Sequence, residues 1–172
     1  MELGAAELSI KTLVIDGGAL IIEDSASISA DHILIMNGGS IVCDFAYFSA
    51  SYSCSREKPC VDLSLRVNTL VLNSGGSINC SALIINATSI DAGHNSSISS
   101  SYRGIGSIVT GYCGGSHGGT GGAGSPFLII NTSFYDTVDY PVLPGSGGLH
   151  ARGGGVIQIL SRYLRVGNVT SC

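Results

Sequence analysis

Short apolar stretches, each interrupted by Asp or Asn and two glycines, recur along the chain. The block runs from Thr12 to Ile22, returns from Ile33 to Cys43, and returns again from Thr69 to Cys80. The glycine pairs of the first two blocks begin 21 residues apart, at Gly17 and Gly38, and the third block follows at about this spacing once an extra segment is removed. A repeat of about 20 residues built of short strands is typical of a solenoid, because one repeat buries its apolar face only by stacking on its neighbours.

The strand pattern predicts an all-β chain folded as a parallel β-helix with coils of about 21 residues. Short strands come about every seven residues. Leu13–Ile15, Leu20–Ile22 and Ala26–Ile28 are therefore predicted as three sides of one coil, and Ile33–Ile35 begins the next. Such a fold would make the chain a rod, which favours a scaffold over a catalyst.

Alternation within the strands assigns side chains to the two faces of each strand. The positions predicted to face the interior are Leu20, Ile22, Ile41, Cys43, Ile78 and Cys80. Val42 and Asn79 then face outward.

Asp16, Asn37 and Asn73 precede the glycines and are predicted to form a further column. Asx residues cap turns with their side chains, and glycine adopts the positive φ that a tight corner requires. A row of calcium-binding or catalytic carboxylates is the alternative interpretation. It is disfavoured because two of the three residues are amides.

The chain contains six cysteines, which fit three disulfides in an oxidising compartment. They are Cys43, Cys54, Cys60, Cys80, Cys113 and Cys172. Cys43 and Cys80 occupy the same place after their glycine pairs, so they are predicted to stack about one strand spacing (~4.8 Å) apart. Two interpretations remain open for these residues: a disulfide bond, or two reduced and buried thiols. Cys54 and Cys60 could close a small loop. Zinc-type spacings are absent from the sequence, which predicts no metal and no cofactor.

Composition limits the function classes. The chain is 44% hydrophobic and only 12% charged, about half the usual share of charge. Its 8 Lys and Arg are spread along the sequence and form no basic run, so we expect no nucleic-acid partner. No apolar stretch approaches the ~20 residues of a membrane helix, so no membrane span is expected. Met1–Gly4 does not begin a signal peptide, although other features indicate secretion. We therefore expect a processed chain or a fragment.

Glycosylation is predicted from Asn-x-Ser/Thr sequons, which five of the 8 Asn residues begin. They are Asn79, Asn86, Asn95, Asn131 and Asn168. Ser and Thr make up 34 of 172 residues, so chance alone gives about one or two. N-glycans would also keep a weakly charged surface hydrated. Asn79 is the weakest site, because its middle residue is Cys. The alternative is that a Ser-rich chain yields sequons freely.

The repeats are expected to belong to a single domain, 1–172, with two irregular parts. An insertion loop of about 44–60 and a Gly-rich segment of about 111–125 interrupt them. A loop grown from one corner of a solenoid is a usual place for function, although local packing explains it equally well. Its aromatic residues are possible ligand or interface contacts: Tyr47, Phe48 and Tyr52.

Three Gly-rich motifs follow one another in the second half of the chain. Gly114–Gly122 reads Gly-Gly-Ser-His-Gly-Gly-x-Gly-Gly, Pro144–Gly148 follows Tyr140-Pro, and Gly153–Ile159 reads Gly-Gly-Gly-x-Ile-x-Ile. This order, from roughly Asp91 to Thr170, resembles the Gly-rich module of large secreted and cell-surface proteins. These proteins are similar to pectin-lyase-like right-handed β-helix proteins and adhesins. The resemblance implies extracellular, repetitive, mostly structural or adhesive roles.

Catalysis is not expected. Glycoside hydrolysis needs two carboxylates fixed across one cleft, and the sequence shows no Asp-Asp pair and no Arg-x-Lys. Asp91 and His94 with Arg103 are the best catalytic combination that the chain offers. His94 and His117 could also bind metal or sugar, but a structural His beside Gly-rich backbone is commoner.

The sequence favours an extracellular structural glycoprotein. Turns begin soon after Met1 and run to Cys172 without an obvious cap, so we expect strand edges and apolar columns at both ends of the solenoid. Head-to-tail stacking of copies would cover both ends and give an open filament or a surface appendage. Neighbouring parts of a longer chain are the competing explanation for the uncapped ends. The alternative functions are a carbohydrate-binding or adhesive β-helix module and, with less support, a polysaccharide-degrading enzyme.

Overall fold

A computed structural model describes residues 6–23, 25–43, 61–101, 145 and 153–167 of the 172-residue chain. The chain divides into two compact units, which comprise 1–45, 61–99 and 157–172 in one and 46–60 and 100–156 in the other. The described part is all-β and contains no helix. The strands are β1 (Ala6–Asp16), β2 (Ala19–Ile22), β3 (Ala26–Met36), β4 (Ser40–Cys43), β5 (Leu63–Leu72), β6 (Ser77–Asn79), β7 (Ala82–Ala92), β8 (Ser97–Ser99) and β9 (Val156–Val166).

The strands alternate between two sheets along the chain. The longer strands form a sheet in the order β1-β3-β5-β7-β9, and the shorter strands form a second sheet in the order β2-β4-β6-β8. In the first sheet all neighbouring strands from β1 to β7 pair in parallel, and in the second sheet all neighbours from β2 to β8 do so. Each return of the chain to a sheet therefore adds one strand beside the previous one, which confirms the prediction of parallel strands.

The register repeats at the interval that the sequence predicts. Ala6 lies opposite Ala26 and Ala19 opposite Ser40, which are offsets of 20 and 21 residues. The offset widens once, where Ala26 lies opposite Leu63. The widening falls at the segment 44–60, which lies outside the described residues. The chain before and after it therefore keeps one pairing register.

The interior consists of columns of aliphatic side chains, one from each strand. Ile41, Cys43, Ile78 and Cys80 are fully buried, and Ile41 lies opposite Ile78, as predicted. Leu20 and Ile22 are half-buried and begin these two columns. The longer strands contribute further columns of fully buried residues, for example Ile33, Leu70 and Ile90.

Separate short strands at Ala26–Ile28 and Ile33–Ile35 are not observed, because β3 runs through both segments. Its alternation changes phase in the middle: Ile28 and Ala30 are buried, the next two residues are exposed, and then Ile33 and Ile35 are buried. The pairing with β5 likewise skips one position after Ala30. The two predicted sides therefore belong to one strand whose inward face changes from even-numbered to odd-numbered residues.

Asp16, Asn37 and Asn73 do not share one column, which corrects the predicted alignment. Asp16 lies opposite Met36, and Asn73 N–H bonds to the Ile35 carbonyl, so Asn73 follows Met36 in this column. Their role in turns is confirmed. Asn37 has a φ of 52°, and Asn73 Oδ1 accepts the backbone N–H of Ser74 at 2.8 Å. Asn37 still reaches the first strand, because its Nδ2 donates to Asp16 Oδ1 at 2.7 Å.

Gly39 lies where the chain leaves the turn after β3 and passes close to the preceding strand. A Cβ placed on it would meet the Ile15 carbonyl oxygen and lie 2.9 Å from the Met36 carbonyl oxygen. A Cβ on Gly76, the corresponding glycine after β5, would meet the Ile35 carbonyl oxygen. The second glycine of these pairs is thus required by close backbone approach between successive strands.

We expect Gly39→Ala to destabilise the fold by about 1–3 kcal/mol, because the added methyl group forces the backbone of β1 and β3 apart. Gly18→Ala is the matched control, since a Cβ there meets no atom within 4 Å, and it should change stability by less than about 0.5 kcal/mol. Urea denaturation of both variants measures the difference. Equal stabilities for the two variants would contradict the close approach.

The predicted disulfide between Cys43 and Cys80 is present. The two Cα atoms are 4.8 Å apart, both residues are fully buried, and the bond joins positions separated by 37 residues. The loop that it closes contains the whole of the segment 44–60. The bond therefore joins the strand before this segment to the turn that follows β6.

Replacing both cysteines by alanine should lower the free energy of unfolding by about 3–4 kcal/mol, the chain-entropy value for a loop of this length. Chemical denaturation of the double variant against the unmodified chain checks this. A double Ser40→Ala and Ser77→Ala variant changes paired polar positions on the same two strands and serves as the control. A loss below about 1 kcal/mol for the cysteine variant would refute the stabilising role.

Asp62 anchors the chain where it re-enters the sheets after the segment 44–60. Its side chain is 5% exposed, and its Oδ2 accepts the backbone N–H groups of Ser81 and Ala82, both at 2.8 Å. Its backbone bonds to the neighbours on both sides, with the Ala26 N–H donating to its carbonyl and its own N–H donating to the Ala82 carbonyl. A buried carboxylate that accepts several hydrogen bonds is retained at low cost, so Asp62 fixes the entry into β5.

Candidate functional site

The two outer strands of the five-stranded sheet, β1 and β9, are its most distinctive surface. Among the described residues, β1 pairs only with β3, and β9 is a neighbour only of β7. Both strands, and β2 at the border of the second sheet, expose large apolar side chains. These are Leu8, Val14, Ile21, Ile159, Leu160, Leu164 and Val166, together with Tyr163. Apolar residues on an unpaired strand edge favour pairing with a further strand.

The register of β9 follows from its contacts with β7. Gly167 N–H donates to the Ala92 carbonyl, just as Gly93 N–H donates to the Leu72 carbonyl one strand earlier. Arg165 and Asp91 form an ion pair at 3.6 Å, which also places these two residues opposite each other. Leu164 consequently occupies the next position in the column of Ile90.

The apolar stretch Val156–Leu160 has the sequence pattern of a buried strand, but its last two residues are exposed. Ile159 is 39% exposed and Leu160 is 56% exposed. Ile159 continues the column of Ile85, which is fully buried. The apolar pattern of β9 is evident in the sequence. Its position at the edge of the sheet is not, and at an edge a side chain has a neighbouring strand on one side only.

A polar trough crosses the longer strands where their alternation changes phase. It has a volume of about 820 Å³. It extends over five strands. The four spacings between these strands, of ~4.8 Å each, give a length of about 19 Å. Its floor is formed by the small or medium inward residues Ile10, Ala30, Val67, Ala87 and Ser161. Because these side chains face inward, the outward side chains of the residues on either side of them stand as walls.

The walls of the trough are polar and carry both signs of charge. One wall consists of Ser9, Ser29, Arg66, Asn86 and Leu160, and the other consists of Asp31, Asn68, Thr88 and Arg162. Asn68 Nδ2 donates to Asp31 Oδ1 at 3.1 Å, so side chains of adjacent strands contact each other along the second wall. Such a surface can donate and accept many hydrogen bonds but offers little apolar contact. The sequence analysis missed this trough because its residues are spread over five strands.

The best catalytic combination in the sequence falls only partly within the described residues. Asp91 pairs with Arg165 on the outer face of β7, His94 lies exposed in the following turn, and Arg103 lies outside the described residues. Among the described residues, Asp31 is the one carboxylate that lines the trough. Within the described ranges, no three His, Cys, Asp or Glu side chains come together as a group that could hold a metal ion.

Three predicted glycosylation sites lie in the described residues and differ in accessibility. Asn86 is exposed on β7, and Asn95 is exposed in the turn after β7 with a φ of 58°. Asn79 lies on the face opposite to Ile78, as predicted, but it is half-buried, and its Oδ1 is buried without a hydrogen-bond partner. Asn131 and Asn168 lie outside the described residues.

Several other predicted site residues also lie outside the described part of the chain. They are the aromatic residues Tyr47, Phe48 and Tyr52, His117, and the cysteines Cys54, Cys60, Cys113 and Cys172. The Gly-rich segment of about 111–125 is likewise outside it. In the part of the chain that the structure covers, no helix has the length and apolar character needed to cross a membrane.

Comparison of the chain with models of known protein families, with curated proteins and with solved structures finds no match to any of them. The likeness to pectin-lyase-like proteins therefore remains a resemblance carried by the sequence motifs alone.

Proposed function

We propose that this protein is an extracellular structural glycoprotein, a parallel β-helix whose copies assemble head to tail into a filament or surface appendage. The observation that carries the proposal is that β1 and β9 are the outermost of the described strands in their sheet and that each exposes apolar residues. A joint between a β9 edge and a β1 edge uses two different surfaces. Such a contact is heterologous, so repeating it yields an open filament unless the rotation happens to close a ring.

A solenoid is supported by the path of the chain between the two sheets. Successive strands alternate between the sheets, and each sheet grows by one parallel strand per repeat of about 20 residues. The phase change within β3 gives each longer strand two inward-facing parts. Together with the shorter strand, these parts supply the three sides that a coil of a parallel β-helix requires.

Secretion is supported by the Cys43–Cys80 disulfide, because such bonds persist in oxidising compartments. In a secreted chain Asn86 and Asn95 are suitable glycan acceptors, because both are exposed and each begins a sequon. N-glycans would add polar surface to a chain in which only 12% of residues are charged. The proposal also takes the chain to be a scaffold and not an enzyme.

A carbohydrate-binding or adhesive module is the second candidate function. The polar trough favours it, because Arg66 on one wall and Asn68 and Asp31 on the other offer hydrogen-bond donors and acceptors. The exposed Tyr163 adds an aromatic ring that lines a second pocket on the same sheet. A monomer that binds oligosaccharides but never polymerises would favour this second function.

Assembly is testable with the full chain under non-reducing conditions. We expect light scattering and electron microscopy to show polymers at micromolar concentration. Leu164→Lys should abolish them, because the joint would bury an unpaired charge in an apolar column at a cost of several kcal/mol. Ser29→Lys adds the same charge to a middle strand and should leave assembly unchanged. A monomeric unmodified chain, or equal assembly of both variants, would count against the proposal.

Glycosylation is testable on chain secreted by eukaryotic cells. Mass spectrometry before and after N-glycosidase treatment should show modified Asn86 and Asn95 and unmodified Asn79, because the Asn79 amide is half-buried and its oxygen is inaccessible. Asn68, which is exposed but begins no sequon, is the internal control. The absence of any glycosidase-dependent shift would refute the glycoprotein part of the proposal.

A further inference from the structure

We infer that the joint between two copies is an in-register parallel pairing in which Leu164 of one copy stacks on Leu13 of the next. This inference rests on the proposed head-to-tail assembly and specifies its interface. In this arrangement β1 of the next copy lies one strand spacing, about 4.8 Å, beyond β9. It takes the place that a further strand of the five-stranded sheet would occupy.

The inward columns determine which residues meet. One column begins at Leu13 on β1 and continues through the buried Ile33, Leu70 and Ile90 to Leu164 on β9. Adding the next copy in register places Leu13 directly after Leu164. Three inward columns have Leu, Ile or Val at both of their ends, and the resulting pairs across the joint are Ile159 on Leu8, Leu164 on Leu13, and Val166 on Ile15.

The phase change of the strands restricts this register. On β3 the two consecutive exposed residues are Asp31 and His32, and the corresponding positions are Lys11 and Thr12 on β1 and Arg162 and Tyr163 on β9. A slip by one residue would place Leu164 opposite an outward position of β1. A slip by two residues would place either Ser161 opposite Thr12 or Leu164 opposite Lys11, and both of these β1 positions are exposed. The in-register arrangement is therefore the one that buries inward residues along the whole edge.

The net charges of the two edges favour pairing of β9 with β1, although they do not select the register. β9 carries Arg162 and Arg165, whereas β1 carries Glu7, Lys11 and Asp16, so the edges have opposite net charge. The register nevertheless creates one like-charge pair, between Arg162 and Lys11 of the next copy. Side chains in this column do reach the adjacent strand, as the 3.1 Å hydrogen bond from Asn68 to Asp31 demonstrates.

This like-charge pair gives a gain-of-assembly test that does not depend on damaging the fold. Arg162→Glu converts the repulsion into attraction with Lys11, and we expect the critical concentration for assembly to fall by roughly threefold or more at low salt. Adding Lys11→Glu to this variant restores a repulsive pair and should reverse the gain. Arg165→Gln, a charge-removing change on the same strand, lies opposite Val14 and puts no carboxylate beside Asp91, so it should not produce the gain. A gain for Arg165→Gln but not for Arg162→Glu would overturn the register.

Disulfide trapping reads the register directly. Cys43 and Cys80 show that inward positions on adjacent strands, with Cα atoms 4.8 Å apart, form a disulfide in this fold. A chain carrying both Leu13→Cys and Leu164→Cys should therefore form covalent polymers under oxidising conditions. A chain carrying Val14→Cys with Leu164→Cys should not, because Val14 faces outward.

Mass spectrometry of non-reduced peptides identifies the linked positions, and the single cysteine variants confirm that the fold and the assembly are retained. A bond between positions 164 and 13 supports the register. Polymers linked only through the control pair, or assembled without any 164–13 bond, would overturn the register while leaving the assembly intact. If the unmodified chain stays monomeric at every concentration, the proposed function falls as well.

Discussion

The structure depends on one constraint, the in-register stacking of parallel strands at a single spacing. In-register pairing places corresponding residues of successive repeats directly beside one another, so each column must have one character along its length. The columns of the five-stranded sheet that contain Ile33 and Ile35 are aliphatic through four or five strands. Glycine at positions such as Gly39 is required for the same reason, since adjacent backbones come closest there.

The same constraint explains the features around the segment 44–60. A long insertion between two paired strands increases the chain entropy lost on pairing them. The Cys43–Cys80 disulfide joins the repeats on either side of this segment, and Asp62 holds the returning chain through hydrogen bonds to Ser81 and Ala82. The disulfide limits the unfolded ensemble, whereas the carboxylate fixes the native geometry. Together they keep the repeat in register across its largest irregularity.

Stacking also leaves two borders, and the proposed function concerns these borders. Leu164 lies in the column of Ile90, yet it is 55% exposed because no described strand follows β9. The apolar surface that holds the interior together is thus presented again at β1 and β9. The trough reaches both borders, with Ser9 on β1 and Arg162 on β9. In the proposed assembly it would continue from one copy to the next.

The sequence by itself determined the strand character, the parallel repeat, the inward positions Ile41 and Ile78, and the stacking of Cys43 beside Cys80. It could do so because these features follow from spacing, and residues one repeat apart become neighbours. Tertiary structure decided what spacing does not encode: that β3 is one strand with a phase change, that Met36, not Asn37, lies opposite Asp16, and that Ile159 is exposed at an edge. The trough belongs to the same group. Its walls form only when five strands are placed side by side, and no single strand contains a recognisable part of it.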